Sequence, residues 1–572
     1  MKLILKYICK HKKLLLLNIF SFLLIIIGEL LIPYVIGKYI INPQPARPFI
    51  NVFLFLCIIV LMVILGNFFI TFCISKITSL VFKDLSTDLF KKIQTFSFID
   101  MQKLGVSAIV SRMTYNVYQI MNFVIVFYKT VVSTPILLVS CFIIVCKIDP
   151  SLSYGILAIM FCFIFLLIFI ILKNYSLSIE QHNLLEEMNY KIRSSITGVK
   201  IIRTLNQEKN EEKKFEKINV FFRDSIVKLF NSILSIEPLF YFLLNLSIII
   251  TIKLASDLIL EGHMDIGHLY ICITYNVHIL SSILSFLLLF MMFPKTLVAL
   301  AKIQYLFNMK PCINKNALNS EFLENIQTLE FKNVCYRHTD NSKLILENIN
   351  FKLNKSEIVA FVGKTGSGKT TLMNLIPRLI DPTQGVIEIN GIDIQNYYVK
   401  NLRDKIGFVS QKNILFKGTI FSNLLFGKEN ADSEEMFEKS KISQSYQFIQ
   451  NKTYKLEEPV SELGANFSGG QKQRLSITRA LLKQPDIYIF DDSFSALDYE
   501  TDLAIRKSFL AQKKKESIVI IVAQRLTSIL NADKIIVLDN GKIVSIGTHK
   551  ELMNKCPVYQ KIAFSQKIQE VL

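Results

Sequence analysis

The chain has 572 residues, too many for one hydrophobic core, so two or more domains are expected. Hydrophobic residues make up 51% and charged residues 19%, with a mean hydropathy of +0.40, a mix that points to a membrane protein with a water-facing part. The net charge of +19 would favour nucleic acid in a soluble protein, but many of the lysines flank apolar runs, where an anionic leaflet accounts for them, so no nucleic-acid partner is expected.

From residue 14 to about 294 the chain is built of long apolar runs. Six spans are expected over residues 14–36, 49–75, 120–147, 152–172, 239–255 and 266–293. Each can cross a ~30 Å hydrocarbon core, which takes about 20 helical residues. The third and fourth are joined by the tight turn "KIDPS". Lys2, Lys6, Lys10, Lys12 and Lys13 precede the first span. Lys76, Lys83, Lys91, Lys92 and Lys103 lie between the second and third, and Lys191, Arg193, Lys200, Arg203 and Lys209 between the fourth and fifth. The opposite loops are short, offer Arg47 and Lys147, and carry the acids Asp257, Glu261 and Asp265. This asymmetry predicts a multi-pass protein of the lipid bilayer with both termini cytoplasmic. Richness in Ile, Lys, Asn and Phe suggests an AT-rich bacterial genome, hence a bacterial cytoplasmic membrane.

The ten cysteines form no C-x-x-C pair and mostly occupy apolar segments, so they read as small buried hydrophobes. The two long inner loops have helical periodicity and many charges. They are expected to continue helices out of the membrane, with a turn at each tip. Ordinary solvated amphipathic helices and force-carrying elements both fit that pattern.

After residue 328 short β-rich runs alternate with helical patterns. "IVAFVGKTGSGKTT" is an apolar strand, then Gly363, Lys364, Thr365, Gly366, Ser367, Gly368, Lys369, Thr370 and Thr371, then a helix. Glycines let backbone N–H groups turn around phosphates, and the helix N-terminus adds a favourable dipole. Lys369 is expected on the β- and γ-phosphates and the Thr370 hydroxyl on Mg²⁺. A second apolar strand, residues 487–490, delivers Asp491 to the same sheet edge to hold the Mg²⁺ shell. "FSGGQKQRLSITRALL" places Ser468, Gly469, Gly470 and Gln471 at a helix start. That is either an ordinary N-cap or a second phosphate site, one that would serve another subunit's nucleotide.

In this order and spacing the motifs resemble those of half-transporters of the ATP-binding cassette exporter family. Residues 363–370 match the Walker A loop and Gln411 in "FVSQKNILFKGTI" the Q-loop, a further Mg²⁺ ligand. Phe467, Ser468, Gly469, Gly470 and Gln471 match the signature, with phenylalanine for the usual leucine. Asp491 matches Walker B, and Ser495, Ala496, Leu497 and Asp498 the D-loop. "DLFKKIQTFSF" and "RSSITGVKIIRTLNQE" resemble the coupling loops. The resemblance implies a multi-domain chain. An all-α six-helix transmembrane domain (1–300) and a linker (301–327) precede an α/β P-loop nucleotide-binding domain (328–566). It also implies a dimer that sandwiches two ATP molecules, each between the Walker motifs of one domain and the signature of the other. Hydrolysis then switches the membrane helices between states.

Three positions depart from the family. Asp492 stands where the catalytic glutamate is expected, Gln524 in "IVAQRLTS" replaces the switch histidine, and His338 in "VCYRHTD" replaces the adenine-stacking aromatic, with Tyr336 two residues before it. Aspartate is one methylene shorter than glutamate, and a misplacement of about 1 Å costs roughly a hundredfold in rate. Glutamine can donate a hydrogen bond to a γ-phosphate but carries no charge and relays no proton. The pattern fits a heterodimer in which this chain holds ATP at a weakly hydrolysing site and lends its signature to a second half-transporter. Three alternatives stand: a homodimer that tolerates the substitutions, an importer of chelated metals, and a regulatory ATP-binding membrane protein. His549 matches a family position and reads as structural. For cargo, Glu29 within the first span, Asn67 in the second and His278 in the sixth are the polar candidates. Intramembrane ionisable groups are functional by default. Phe286, Phe290 and Phe293 fit either an apolar cavity lining or, as is commoner at helical spacing, packing and lipid contacts, and hydrophobic or amphipathic cargo is expected.

Overall fold

The computed structural model describes residues 2–42, 48–313, 321–339, 341–495, 497–512 and 516–566, which fall into two compact units. The first unit takes Met1–Gln94 and Gly105–Met309. It contains six helices long and apolar enough to cross a membrane: Ile4–Ile41, Phe49–Thr95, Val106–Ile148, Pro150–Thr197, Glu208–Leu260 and Ile266–Asn308. Each holds one of the six apolar runs. Hydrocarbon offers the backbone no partner, so such a run must close its own N–H and C=O groups, and the helix does so.

The helices exceed what a bilayer needs. Phe49–Gln94 has 46 residues, ~69 Å at about 1.5 Å each, against a hydrocarbon core of about 30 Å. The excess projects beyond the hydrocarbon, and the short helix Val199–Thr204 closes one tip. The "KIDPS" turn has a local cause. Asp149 is the N-cap of the fourth helix and accepts from the Ser151 N–H at 2.7 Å, with Pro150 in the first turn.

The unit boundaries differ from the sequence expectation in two places. The last membrane helix runs to Asn308, past residue 300, and the second unit begins at Lys310. Linker residues 314–320 lie outside the described residues. The second unit also claims Thr95–Leu104, which overlaps the end of the segment 88–98 that resembles a coupling loop. Ile99 packs against the core there. The wholly buried Asp100 accepts at Oδ2 from the Ser97 N–H and hydroxyl, both at 2.8 Å, and from the Cys312 N–H at 3.1 Å. Its Oδ1 accepts from the Cys312 thiol at 2.9 Å.

The second unit contains the strands β1 (Thr328–Tyr336), β2 (Leu346–Asn354), β3 (Ile358–Val362), β4 (Gln384–Ile389), β5 (Ile392–Asp393), β6 (Ile406–Val409), β7 (Gly418–Thr419), β8 (Pro459–Val460), β9 (Ile487–Asp491), β10 (Ile518–Val522), β11 (Lys534–Asp539) and β12 (Lys542–Gly547). One sheet runs β2-β1-β4-β5 and is antiparallel. A second runs β12-β11-β3-β10-β9-β6, parallel except for its β12 edge, and β7 and β8 form a two-stranded antiparallel sheet. β9 and β10 are buried at every residue, as expected of parallel strands covered on both faces. One face packs through Phe331, Phe351 and Phe361. The other packs through Ile477, Ala480 and Leu481 of the helix Gly469–Leu482 and Ile505 and Phe509 of the helix Tyr499–Gln512.

Candidate functional site

The register of the parallel sheet brings distant residues to one edge. Val522 of β10 pairs with Asp491 of β9, and Phe490 pairs with Val409 of β6. The residues just past these strand ends therefore emerge side by side. They are the loop after β3, Asp491 and Asp492, Gln411 and Gln524. In open α/β sheets the crevice outside the carboxyl ends of the strands is where ligands bind.

The loop after β3 requires its glycines. A Cβ on Gly363 would lie 2.2 Å from the Leu538 carbonyl oxygen. Gly368 has φ +97°, and its Cβ would meet Leu346 Cδ2 at 2.7 Å. Lys369 opens the helix Lys369–Leu375, and its ammonium folds back over the loop, donating to the carbonyls of Gly363 (2.7 Å) and Lys364 (2.8 Å) and to Ser367 Oγ (3.4 Å). Burial pushes this ammonium's pKa down, and the charges of Asp492 and Asp491 offset that only in part. Thr370 Oγ1 donates to Asp491 Oδ1 at 3.4 Å, so two hard oxygens converge where a small divalent cation would be held. Asp491 is 1% exposed. Burial, then the neighbouring Asp492 charge, holds its carboxyl above the ordinary range against the Thr370 hydrogen bond.

Asp492 turns the chain sharply, with φ +52°, a left-handed conformation that aspartate tolerates better than most residues. Its N–H donates to the Val522 carbonyl at 3.1 Å. Its Oδ2 accepts from Gln524 Nε2 at 2.8 Å and from Gln411 Nε2 at 3.2 Å. Both lone pairs of that oxygen are thus engaged by neutral amides. Burial raises the Asp492 pKa, and the bond from Gln411, the Lys369 charge and the bond from Gln524 pull it back only in part.

The helix Gly469–Leu482 starts with a complete capping box. Ser468 Oγ accepts from the Gln471 N–H at 3.3 Å, and the Ser468 N–H donates to Gln471 Oε1 at 3.1 Å. Ser468 is therefore the N-cap of this helix, and Ser468 and Gly469 remain exposed. Phe467 is a core residue, 5% exposed, with the Lys452 ammonium 5.1 Å from its ring centroid. In the D-loop, Ser495 Oγ donates to the Asp492 carbonyl at 3.0 Å and Leu497 is buried. Asp498 accepts from the Thr501 N–H at 2.9 Å, a bond that holds its carboxyl below the ordinary range. Ala496 lies outside the described residues.

Tyr336 is corrected as a stacking candidate. It is 3% exposed and sits in the core, because the bulged register of β1 turns its ring inward. Its hydroxyl and His338 Nδ1 are 3.2 Å apart, and His338 is the exposed ring of the two. In the membrane unit, Glu29 and His278 are half-buried. Asn67 donates to the Val63 carbonyl of its own helix at 3.0 Å. Among the described residues no hydrogen bond joins the three. Sequence reasoning missed Asn276, wholly buried, which donates to Ser247 Oγ at 2.6 Å between the last two membrane helices. It also missed Asp100 with Cys312, and Gln473, whose Nε2 is 3.5 Å from the Asp492 carbonyl. His549 Nδ1 lies 2.7 Å from the Tyr559 hydroxyl, a structural pairing.

Two family models match. The ABC transporter transmembrane region matches residues 15–284 and the ABC transporter family model residues 346–495. An uncharacterized ABC transporter ATP-binding protein of Bacillus subtilis is 29% identical over 483 residues, covering 84% of this chain and 83% of that protein. A Staphylococcus aureus protein named for multidrug export, an ATP-binding/permease protein, is 31% identical over 497 residues, covering 85% of this chain and 84% of its own length. The solved structure of a bacterial Atm1-family ABC exporter with ATP bound superposes with a TM-score of 0.86 at 22% identity, over 97% of this chain and 98% of that one. The chain has the exporter fold, six apolar helices followed by a β-rich nucleotide-binding unit, and it belongs to the ABC transporter family as a half-transporter.

Proposed function

We propose that this chain is the ATP-holding half of an unequal pair that exports hydrophobic or amphipathic cargo. The observation that carries the reading is the double engagement of Asp492 Oδ2 by Gln411 and Gln524. A general base must accept a proton from water within about 3 Å. Here the shorter carboxylate is already tied to two amides, and neither amide can relay a proton.

ATP lies with its phosphates on residues 363–371, with Lys369 swinging from the loop carbonyls onto the β- and γ-phosphates and His338 against the adenine. Thr370, Asp491 and the amide oxygen of Gln411 would hold Mg²⁺, whose charge would neutralise the phosphate oxygens. None of these binding roles needs a working base at Asp492, so binding survives where hydrolysis is weak. Exposed Ser468 and Gly469 extend the helix start toward the partner's nucleotide, completing a hydrolysing site there. The name of the Staphylococcus aureus relative supports export, and the long apolar helices support an amphipathic cargo. The nucleotide-binding unit lies in the cytoplasm of a bacterium, on the side of the lysine-rich loops.

The test is ATPase activity in lipid nanodiscs of this chain alone and together with candidate second halves. Slow turnover alone, ATP retained at the Walker site and fast turnover in the pair are expected. High basal activity from the lone chain sinks the proposal.

A further inference from the structure

The loop that carries Gln524 is held by a side chain from elsewhere in the fold. Gln566 follows the helix Pro557–Ser565. Its Nε2 donates to the Gln524 carbonyl at 2.6 Å, and its Oε1 accepts from the Leu526 N–H at 2.8 Å. One amide thus bridges the backbone of two residues that flank Arg525, as a neighbouring strand would. A carboxamide offers a donor and an acceptor side by side for this pattern, and Gln524 has just one residue between it and the end of β10.

The brace is anchored. Tyr559 and Ala563 of the same helix are buried in the cluster that contains Leu526 and Ile529, which follow Gln524. The Tyr559 hydroxyl is tied to His549 Nδ1 at 2.7 Å, and Gln560 Nε2 donates to the Met553 carbonyl at 2.6 Å. The terminal helix pair is therefore packed on the same core as the loop, and Gln566 reaches from it.

We infer that Gln566 is a positioning residue that fixes the Gln524 loop, and through it the aim of the Gln524 amide at Asp492 and the γ-phosphate. This rests on the reading that Gln524 faces the γ-phosphate of ATP held by this chain. With the brace cut, the loop samples conformations in which that amide points away, and closed ATP is released sooner.

The experiment uses the full-length transporter in nanodiscs, loaded with labelled ATP and chased with unlabelled ATP. K369A identifies the signal that belongs to this chain's site. Gln524→Ala is expected to speed release about tenfold, the loss of one hydrogen bond to a charged group. Gln566→Ala is expected to speed it severalfold, and the double variant Q524A/Q566A no more than Q524A alone, because both act through one contact. Gln566→Glu is isosteric. It keeps the acceptor and loses the donor, so it too speeds release, whereas a packing role would leave it like the parent. Faster release in Q524A with unchanged release in Q566A and Q566E overturns this inference alone, as do effects that multiply in the double variant. Unchanged release in Q524A overturns both the inference and the reading of Gln524 beneath it.

Discussion

Gln524 Nε2 donates to Asp492 Oδ2 at 2.8 Å, joining the ends of two adjacent parallel strands. The contact pairs the two substituted positions with each other. A carboxylate accepts from an amide across the sheet edge, and Gln411 donates to the same oxygen at 3.2 Å. The two substitutions are one arrangement rather than two separate losses.

Restoring the pair should restore chemistry. D492E alone lengthens the base but leaves the glutamine amide competing for it, so a rise of only a few-fold is expected. D492E/Q524H should raise ATP turnover at this site by roughly a hundredfold, the cost of about 1 Å of misplacement. The check is single-site turnover in a complex whose partner Walker lysine has been removed.

The carboxylate pair also sets a pH dependence. Burial first, and then the Asp492 charge, holds Asp491 above the ordinary carboxyl range. A raised acid pKa means the protonated form persists to higher pH, so Mg²⁺-dependent ATP binding should weaken on acidification earlier than an ordinary aspartate would dictate. D492N removes the like charge and lowers the Asp491 pKa. The acid limb of Mg²⁺ affinity, read by titration calorimetry from pH 4 to 7 (about the span around a shifted aspartate), should move to lower pH. An unchanged limb would mean that burial alone sets it.

The site was unevenly legible in the sequence. Residues 363–371 could be read because a phosphate loop is local: glycines, lysine and threonine act within one turn. Asp491 was legible from the apolar strand before it. The meeting of Gln411, Asp492 and Gln524 was not, because it depends on the strand order β6-β9-β10, which no local pattern encodes. Tyr336 and His338 could not be separated until the bulge in β1 showed which one turns inward. Asp100 and Cys312 lie 212 residues apart, and nothing near either announces the other. The six spans were legible from composition, and so was the continuation of the helices past their apolar windows, because the charged inner loops keep a helical period.

Ser468 caps its helix, and the proposed function gives it a second duty toward the partner's nucleotide. S468A removes the N-cap and should cost about 1 kcal/mol of stability. S468D keeps a capping oxygen yet sets a negative charge against a phosphate. In the assembled pair S468D should lower ATPase activity by more than tenfold at an unchanged melting temperature, with ATP binding to this chain's own loop intact, as read by photolabelling. Full activity in S468D would remove the signature helix from the partner's site.

Asp100 is fully buried, and burial acts to raise its pKa. The hydrogen bonds from Cys312 and Ser97 outweigh this and hold it below the ordinary range. A depressed acid contributes stability above its unfolded pKa and loses it as pH falls through the folded value. D100A leaves the Ser97 and Cys312 N–H groups without their acceptor and should destabilise the second unit by about 2–3 kcal/mol. C312S should be close to neutral. Thermal unfolding at pH 7 and pH 4 distinguishes them, since the difference between D100A and the parent should shrink in acid.

The second unit draws on two separated stretches of chain, with Thr95–Leu104 lodged against residues that follow Lys310. The halves are therefore not interchangeable cassettes at the level of the gene. A chimera joined only near residue 309 would set a foreign loop where Ile99 and Asp100 fit the native surface. A graft that carries Thr95–Leu104 with the nucleotide-binding half keeps that fit. Recombination between such transporters is thus constrained at three points along the chain rather than one.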